Sequence, residues 1–457
     1  MKKIIIGLTS VLSIIHLSAQ TPKVKTGISP FTISVKAVST PGLPLQSFTN
    51  GRSGDYVLVV GGRTNGYHGT NGADPSVNFP TYYSNRNLVV YNPLTGALKS
   101  VTVPQPYYDQ LTSTNLQGYQ DGSYLYICGG YGQNSAGNYV TYNGVIAMNV
   151  DSIVKAINNN DTLNLARFIT STTSNDMAIT GGELFKVGNY FYLVMGQNFT
   201  GKYAPTGTET STQIYSDEIR QFSISLTGRQ LSVQLIKRFT DDNKPDSTTQ
   251  FHRRDLNVVP IKDANGKDGL AVYGGVFTYK YNGVWQNPVY LLQDANNNPV
   301  VTIDNNFNQK CNQYGCAEVL MYDPLTKTMG TTLLGGISYY DYNASGVLQA
   351  YATVPFVKII STIFRLADGT TTESVASQAN SLPDWIGAEA KFFPLEQYLL
   401  KDNEEILDWS KIPVGKSTVI GYMYGGIKAT ASQSSYFNPT ASNRTLYQVT
   451  INRTVLK

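Results

Sequence analysis

The stretch FHRRDLNVVP, residues 251–260, gathers His252, Arg253, Arg254 and Asp255 directly before an apolar run. Adjacent guanidiniums suit the bidentate capture of a carboxylate or phosphate. An imidazole beside them titrates near neutral pH, and a carboxylate in the same group can balance a cation or act as an acid or base. Elsewhere, GGRTNGYHG carries Arg63 and His68, and Glu183, Glu318 and Glu389 each stand at the start of a short apolar stretch. Tyrosines cluster at Tyr82 and Tyr83, at Tyr279 and Tyr281, and at Tyr339, Tyr340 and Tyr342. Which of these meet depends on the elements that carry them.

Residues 1–19 read as a cleaved secretory signal. Lys2 and Lys3 precede the apolar run IIIGLTSVLSIIHL, and small residues stand before Gln20. Without it the formal charge falls from +4 to +2, too little basic excess for a nucleic-acid partner. No later segment reads as a membrane span, so membrane insertion is not expected. Charged residues make up only 14%, against 32 tyrosines and 41 glycines, which points to short strands and polar turns. Cys311 and Cys316, in CNQYGC, are expected to pair in an oxidising compartment, and Cys128 reads as a small core residue. No cofactor and no metal are expected.

An apolar strand ending in Gly-Gly recurs along residues 20–457: YVLVVGG, YLYICGG, LAVYGG, GTTLLGG and GYMYGG, with FYLVMGQ as a degenerate copy. Their first glycines, Gly61, Gly129, Gly196, Gly274, Gly335 and Gly425, lie 61 to 90 residues apart, a period of array architectures. Each unit has room for four strands, so the reading is an all-β, six-bladed propeller with four antiparallel strands per blade. The blades are placed near residues 40–105, 106–172, 173–240, 248–306, 309–378 and 385–457. Strand–Gly-Gly–loop units and the turn YNPLTG resemble kelch repeats, and the chain is similar to secreted bacterial kelch-like proteins. The resemblance implies an exported kelch-type propeller.

In such a meander the loops after Gly-Gly share one face, where the innermost strands begin. Those loops are long and tyrosine-rich. Aligning the inner strands as LQSF, LQGY, GELF, RDLN, AEVL and AEAK puts Gln46, Gln117, Glu183, Asp255, Glu318 and Glu389 in one ring, with Arg253 and Arg254 at its mouth. Two roles stay open for this ring. It is a structural network of paired carboxylates and water, or it is the floor of a ligand site.

Two functions follow. The first is a binding module that captures a glycan or protein ligand on the tyrosine-rich face, with Arg63, His68, Arg253, Arg254, Asp255, Gln46, Gln117, Tyr279, Tyr339 and Tyr340 as candidate contacts. The alternative is an enzyme that modifies a carboxylated sugar. A likeness in size and compartment to periplasmic kelch propellers of the sialic-acid epimerase type implies Arg253 and Arg254 on the carboxylate. Catalytic candidates are then His252, Glu183, Glu318 and Glu389. The copper-radical oxidase type has a seventh blade and a Cys–Tyr cross-link that find no place here, and the Asp boxes of sialidases are missing.

Overall fold

The computed structural model describes residues 29–39, 42–68, 79–203, 211–241, 249–278, 283–432 and 440–454. The expected signal segment, residues 1–19, and Tyr279 and Tyr281 lie outside them.

Six antiparallel four-stranded sheets form a propeller. From the axis outward, blade 1 runs Thr49–Ser53, Tyr56–Val60, Asn87–Tyr91, Leu98–Thr102. Blade 2 runs Thr114–Asp121, Tyr124–Gln133, Gly144–Asn149, Ile169–Thr173, and blade 3 Glu183–Val187, Tyr190–Val194, Ile219–Thr227, Gln230–Phe239. Blade 4 comprises Asn257–Lys262, Asp268–Tyr273, Val289–Gln293 and Pro299–Ile303. Blade 5 comprises Ala317–Asp323, Thr328–Leu334, Ile360–Arg365 and Thr371–Val375.

Blade 6 takes three strands from the C-terminal region, Ala390–Pro394, Ser417–Gly425 and Leu446–Arg453. Its outer strand is Phe31–Ser39. The two ends of the chain therefore close the ring in one sheet, with Phe31 and Ile33 buried in it. The sequence reading left residues 31–39 without a place.

Strands pack face to face between blades, which explains their nearly continuous apolar runs. In YVLVV, Val57 and Val59 enter the core shared with blade 6, while Leu58 and Val60 enter the core shared with blade 2. Each of the six blade–blade interfaces holds its own apolar cluster. The helix Val150–Asn158 is amphipathic: Val150, Ile153, Val154 and Ile157 share one buried stripe. The Asn149 side chain caps it, accepting from the Ser152 N–H at 2.9 Å.

Two local features position the site. The loops after the second strands carry short hairpins in blades 3, 5 and 6: Gln197–Gly201 with Ser211–Tyr215, Tyr340–Tyr342 with Leu348–Ala350, and Ile427–Ala429 with Thr440–Ser442. At the opposite end, the long connection between the first two strands of blade 6 folds back toward the axis. Its strand Ile406–Asp408 pairs in parallel with the inner strand of blade 5, Leu320 opposite Ile406. The Lys262 ammonium ties this segment to blade 4 through Asp402 at 2.7 Å.

The expected Cys311–Cys316 disulfide is absent, and all three cysteines are free and buried. The thiols project into different apolar clusters. Cys311 packs with Val357 and Ile359, and Cys316 packs in the blade 4–5 core with Leu333 and Ile363. Between them Gln313 is fixed by donating to the carbonyls of Gly335 (2.8 Å) and Ile359 (2.9 Å), which holds the short segment open.

Candidate binding site at the channel mouth

The Gly-Gly pairs are where neighbouring blades touch. Both residues take left-handed backbone angles; Gly129 and Gly130 have φ of 62° and 85°. A Cβ on Gly129 would stand 1.7 Å from the Ile179 carbonyl oxygen of the chain leading into blade 3, so only glycine fits. In blade 3 the pair is Met195–Gly196, one position earlier than the sequence suggests, with Met195 at φ 54°.

In five blades an amide or guanidinium side chain caps the carbonyl of the first glycine. Asn85 serves Gly61 (3.0 Å), Gln110 serves Gly129 (3.1 Å), and Gln313 serves Gly335 (2.8 Å). Asn443 serves Gly425 (3.1 Å) and Arg253 serves Gly274 (3.0 Å).

Arg253 is thus part of the scaffold. It is fully buried, and its guanidinium also donates to the Gln250 carbonyl (2.6 Å), the Gln250 side-chain oxygen (2.7 Å) and the Asn287 carbonyl (2.7 Å). Burial pushes it down to about 9, still charged at neutral pH.

Two residues past the interblade contact, or three in blade 6, the chain turns onto the inner strand through one left-handed residue per blade. These are Ser47 (φ 54°), Asn115 (52°), Gly181 (66°), Asp255 (50°), Gly315 (51°) and Glu389 (55°). The six form a neck, because they are also the residues shared by a mouth on the loop side and a chamber beneath it. The two glycines make room for the two carboxylates. A Cβ on Gly181 would lie 2.8 Å from an Asp255 carboxylate oxygen, and one on Gly315 would lie 2.9 Å from a Glu389 oxygen. Glu389 accepts from the Ser47 hydroxyl at 2.9 Å. Burial and the nearby Asp255 push its carboxyl up to about 7. Burial also lifts Asp255, against the pull of Arg254, whose Nε lies 3.7 Å away. Burial opposes the charge of Arg254, but Asp255, Tyr215 and Tyr203 more than offset it.

The mouth, about 130 Å3, is walled by rings: Tyr67, His68, Phe79, Tyr131, Phe199, Tyr203, Phe277 and Tyr314. They brace one another. His68 stacks on Tyr67 (centroids 4.4 Å apart) and meets Tyr203 edge-on (4.7 Å), and Phe79 meets Tyr131 (5.4 Å) and Tyr203 (5.5 Å). The Tyr131 hydroxyl donates to the Gly201 carbonyl (2.7 Å), and the Tyr67 N–H donates to the Thr440 hydroxyl (2.8 Å), joining loops of different blades. Such rings, held at fixed angles, present apolar faces at little entropic cost.

The chamber, about 480 Å3, reaches down to residues 402–405. Glu183, Glu318 and Lys391 line it with Glu405 of the inturned segment. Lys391 stands 3.7 Å from Glu183, and the surrounding glutamates, Glu183 first, hold its ammonium above the ordinary range. Burial pushes Glu318 up to about 8 and Glu405 up to about 7. Among the described residues no group of three or more His, Cys, Asp and Glu side chains is arranged to hold a metal ion.

The structure distributes the sequence candidates over several places. Gln46, His68, Arg254, Asp255 and Glu389 meet at the mouth and neck; Gln117, Glu183 and Glu318 line the chamber. The expected single ring is four levels, with Gln46 uppermost, one residue before the neck. Gln117 and Glu183 pair with the residue that precedes the Gly-Gly turn, Glu318 lies one residue deeper, and Asp255 and Glu389 belong to the neck. His252 sits beside blade 3, its Nδ1 2.8 Å from Asp217 and its ring stacked 3.8 Å from Tyr215. Arg63 is buried under Phe79 (4.6 Å), donating to Asn65 at 3.0 Å. Tyr339 and Tyr340 lie in their own hairpin, with ring centroids 5.3 Å apart. Sequence reasoning missed Ser47, Asn115, Lys391, Glu405, Tyr131 and Tyr203. Lys391 sits in the aligned AEAK, and Glu405 lies in a long connection on the opposite face.

The fold and this channel define the chain as a six-bladed β-propeller with an aromatic mouth above an acidic chamber. No protein-family model and no curated protein matches it. Among the described residues no helix is long and apolar enough to cross a membrane.

Proposed function

We propose that this chain is an exported, kelch-type propeller that binds a glycan at the channel mouth. The mouth carries the reading: aromatic side chains from the loops of several blades surround a floor that offers Ser47, Asn115, Asp255 and Glu389. A sugar has an apolar C–H face to lay on a ring and hydroxyls at its rim to exchange hydrogen bonds with such a floor. Export rests on the lysines, apolar run and small residues of positions 1–19, and the kelch assignment on the strand–Gly-Gly–loop units. The test is a glycan array probed with residues 20–457 beside Tyr203→Ala and Arg254→Ala. Glycans held by the parent protein and lost in both variants support the mouth. Unchanged binding in both variants, or no binding by the parent, overturns the assignment.

One observation favours turnover as a second reading. A carboxyl brought near neutrality beside a second carboxyl, as Glu389 is beside Asp255, suits a general acid or base. Incubating the array-positive sugar with the parent protein and with Glu389→Gln tests it. Product formed by the first and not the second is expected, and no product from either rejects it.

A further inference from the structure

Resting on the glycan reading, we propose that the sugar taken up at the mouth carries a free amine, and that its ammonium group docks at the neck between the Asp255 and Glu389 carboxylates. The charges along the channel do not balance. Arg254 is matched by Asp255 and Lys391 by Glu183, each at 3.7 Å. Glu389, Glu318 and Glu405 then remain without a basic group within 4 Å among the described residues, although all three face the channel. Half-buried carboxylates without a close counter-charge hold protons more readily, which is the direction in which burial displaces Glu389 and Glu318 against the weaker pull of Lys391. An ammonium group would supply the missing charge.

The neck is shaped to receive one. Gly181 and Gly315 leave bare backbone against the Asp255 and Glu389 oxygens, so both carboxylates border the passage without a side chain over them. Above them the rings of Tyr67, Phe79, Tyr203 and Phe277 line the mouth, and aromatic rings already take cations here: the Arg254 guanidinium lies 5.2 Å from the centre of Phe277. A carboxylated sugar would meet the opposite field. Among the described residues the one lysine or arginine lining the mouth is Arg254, which is already shared with Asp255, Tyr215 and Tyr203.

Calorimetry with two chemically matched probes tests this: a β-1,4-linked glucosamine trisaccharide with free amines, and its fully N-acetylated counterpart, both at pH 6. The parent protein is expected to bind the free-amine trimer at least about tenfold more tightly, the value of one charge-assisted contact. The preference should shrink with added salt and in Glu389→Gln, which keeps the size of the side chain and removes its charge. Equal or tighter binding of the N-acetylated trimer overturns the amine assignment and leaves the glycan reading standing. So does failure to bind either trimer by a protein that binds other glycans on the array. Failure to bind any glycan removes the glycan reading and the amine assignment together.

Discussion

Replacing Arg253 by methionine separates scaffold from ligand grip. The substitution keeps most of the side-chain volume and removes the charge and every donor. It strands the carbonyls of Gly274, Gln250 and Asn287 and the Gln250 side-chain oxygen, all between blades 3 and 4. Each lost bond to a charged donor costs about 1.5–3 kcal/mol, and leaving out a buried cation returns part of that sum. Breaking a buried polar network of this size leaves a net loss of about 3–5 kcal/mol. At about 2.1 cal/mol/K of unfolding entropy per residue, a chain of this length unfolds with about 0.9 kcal/mol/K, so 4 kcal/mol lowers Tm by about 4–5 °C. Scanning calorimetry reads that shift, and the glycan array reads the site. The expected result is a lower Tm with glycan preference unchanged among the molecules that remain folded. An unchanged Tm with binding abolished would refute the reasoning, because the guanidinium would then reach the ligand.

Further outcomes follow from the same geometry. Burial pushes Glu318 up to about 8 and Glu389 up to about 7 in the folded chain, above the ordinary value of about 4.3 in an unfolded one. At these groups the folded state therefore binds more protons between those limits, and their contribution to stability falls as pH rises from about 4.5 to 8. Glu318→Gln should flatten that fall by an amount of order 1 kcal/mol once water in the chamber is allowed for; an identical slope in parent and variant contradicts the buried titration. Removing residues 20–39 takes away the outer strand of blade 6 with buried Phe31 and Ile33. Those two side chains alone are worth about 3–6 kcal/mol, so Tm should drop by at least about 3 °C, and an unchanged Tm would show that the ring closes without this strand. Thiol titration should find three reactive cysteines in denaturant without reductant and none in the native protein; a single reactive thiol in denaturant would mean that Cys311 and Cys316 are bonded after all.

The fold was legible because its signal is repeated. An apolar run ending in two glycines marks a strand buried on both faces followed by a turn where the next blade comes too close for a side chain, and this physics recurs six times. Blade 3 shows the limit of the signal: Met195 adopts the left-handed angle that glycine takes elsewhere, so the aligned pair slips by one residue. The inner-strand register was harder to read. Each inner strand begins after a left-handed residue that is Ser, Asn, Gly, Asp, Gly or Glu in turn, types too varied to align. Aligning the acidic and amide positions instead merged four levels into one.

Arg253 and Arg254 illustrate the same gap at the site. They are neighbours in sequence, yet the segment is extended where Arg254 pairs with Val276, so successive side chains point opposite ways: Arg253 is buried against the loop of blade 4 and Arg254 lines the mouth. The outer strand of blade 6 and the inturned segment at 399–408 depend on partners hundreds or tens of residues away, and no local pattern announces them. The disulfide failed as an expectation because spacing says nothing of direction: Gln313 and the two apolar clusters turn the thiols apart.

A crystal structure of residues 20–457 grown with the tightest-binding glycan of the array addresses the central claim most directly. The account predicts the sugar in the mouth, one ring face against Tyr203 or Tyr67 and its polar edge toward Asp255 and Glu389. A glycan held on the Tyr339–Tyr340 hairpin, on the outer strands or at the opposite face, with the mouth left to water, would contradict it.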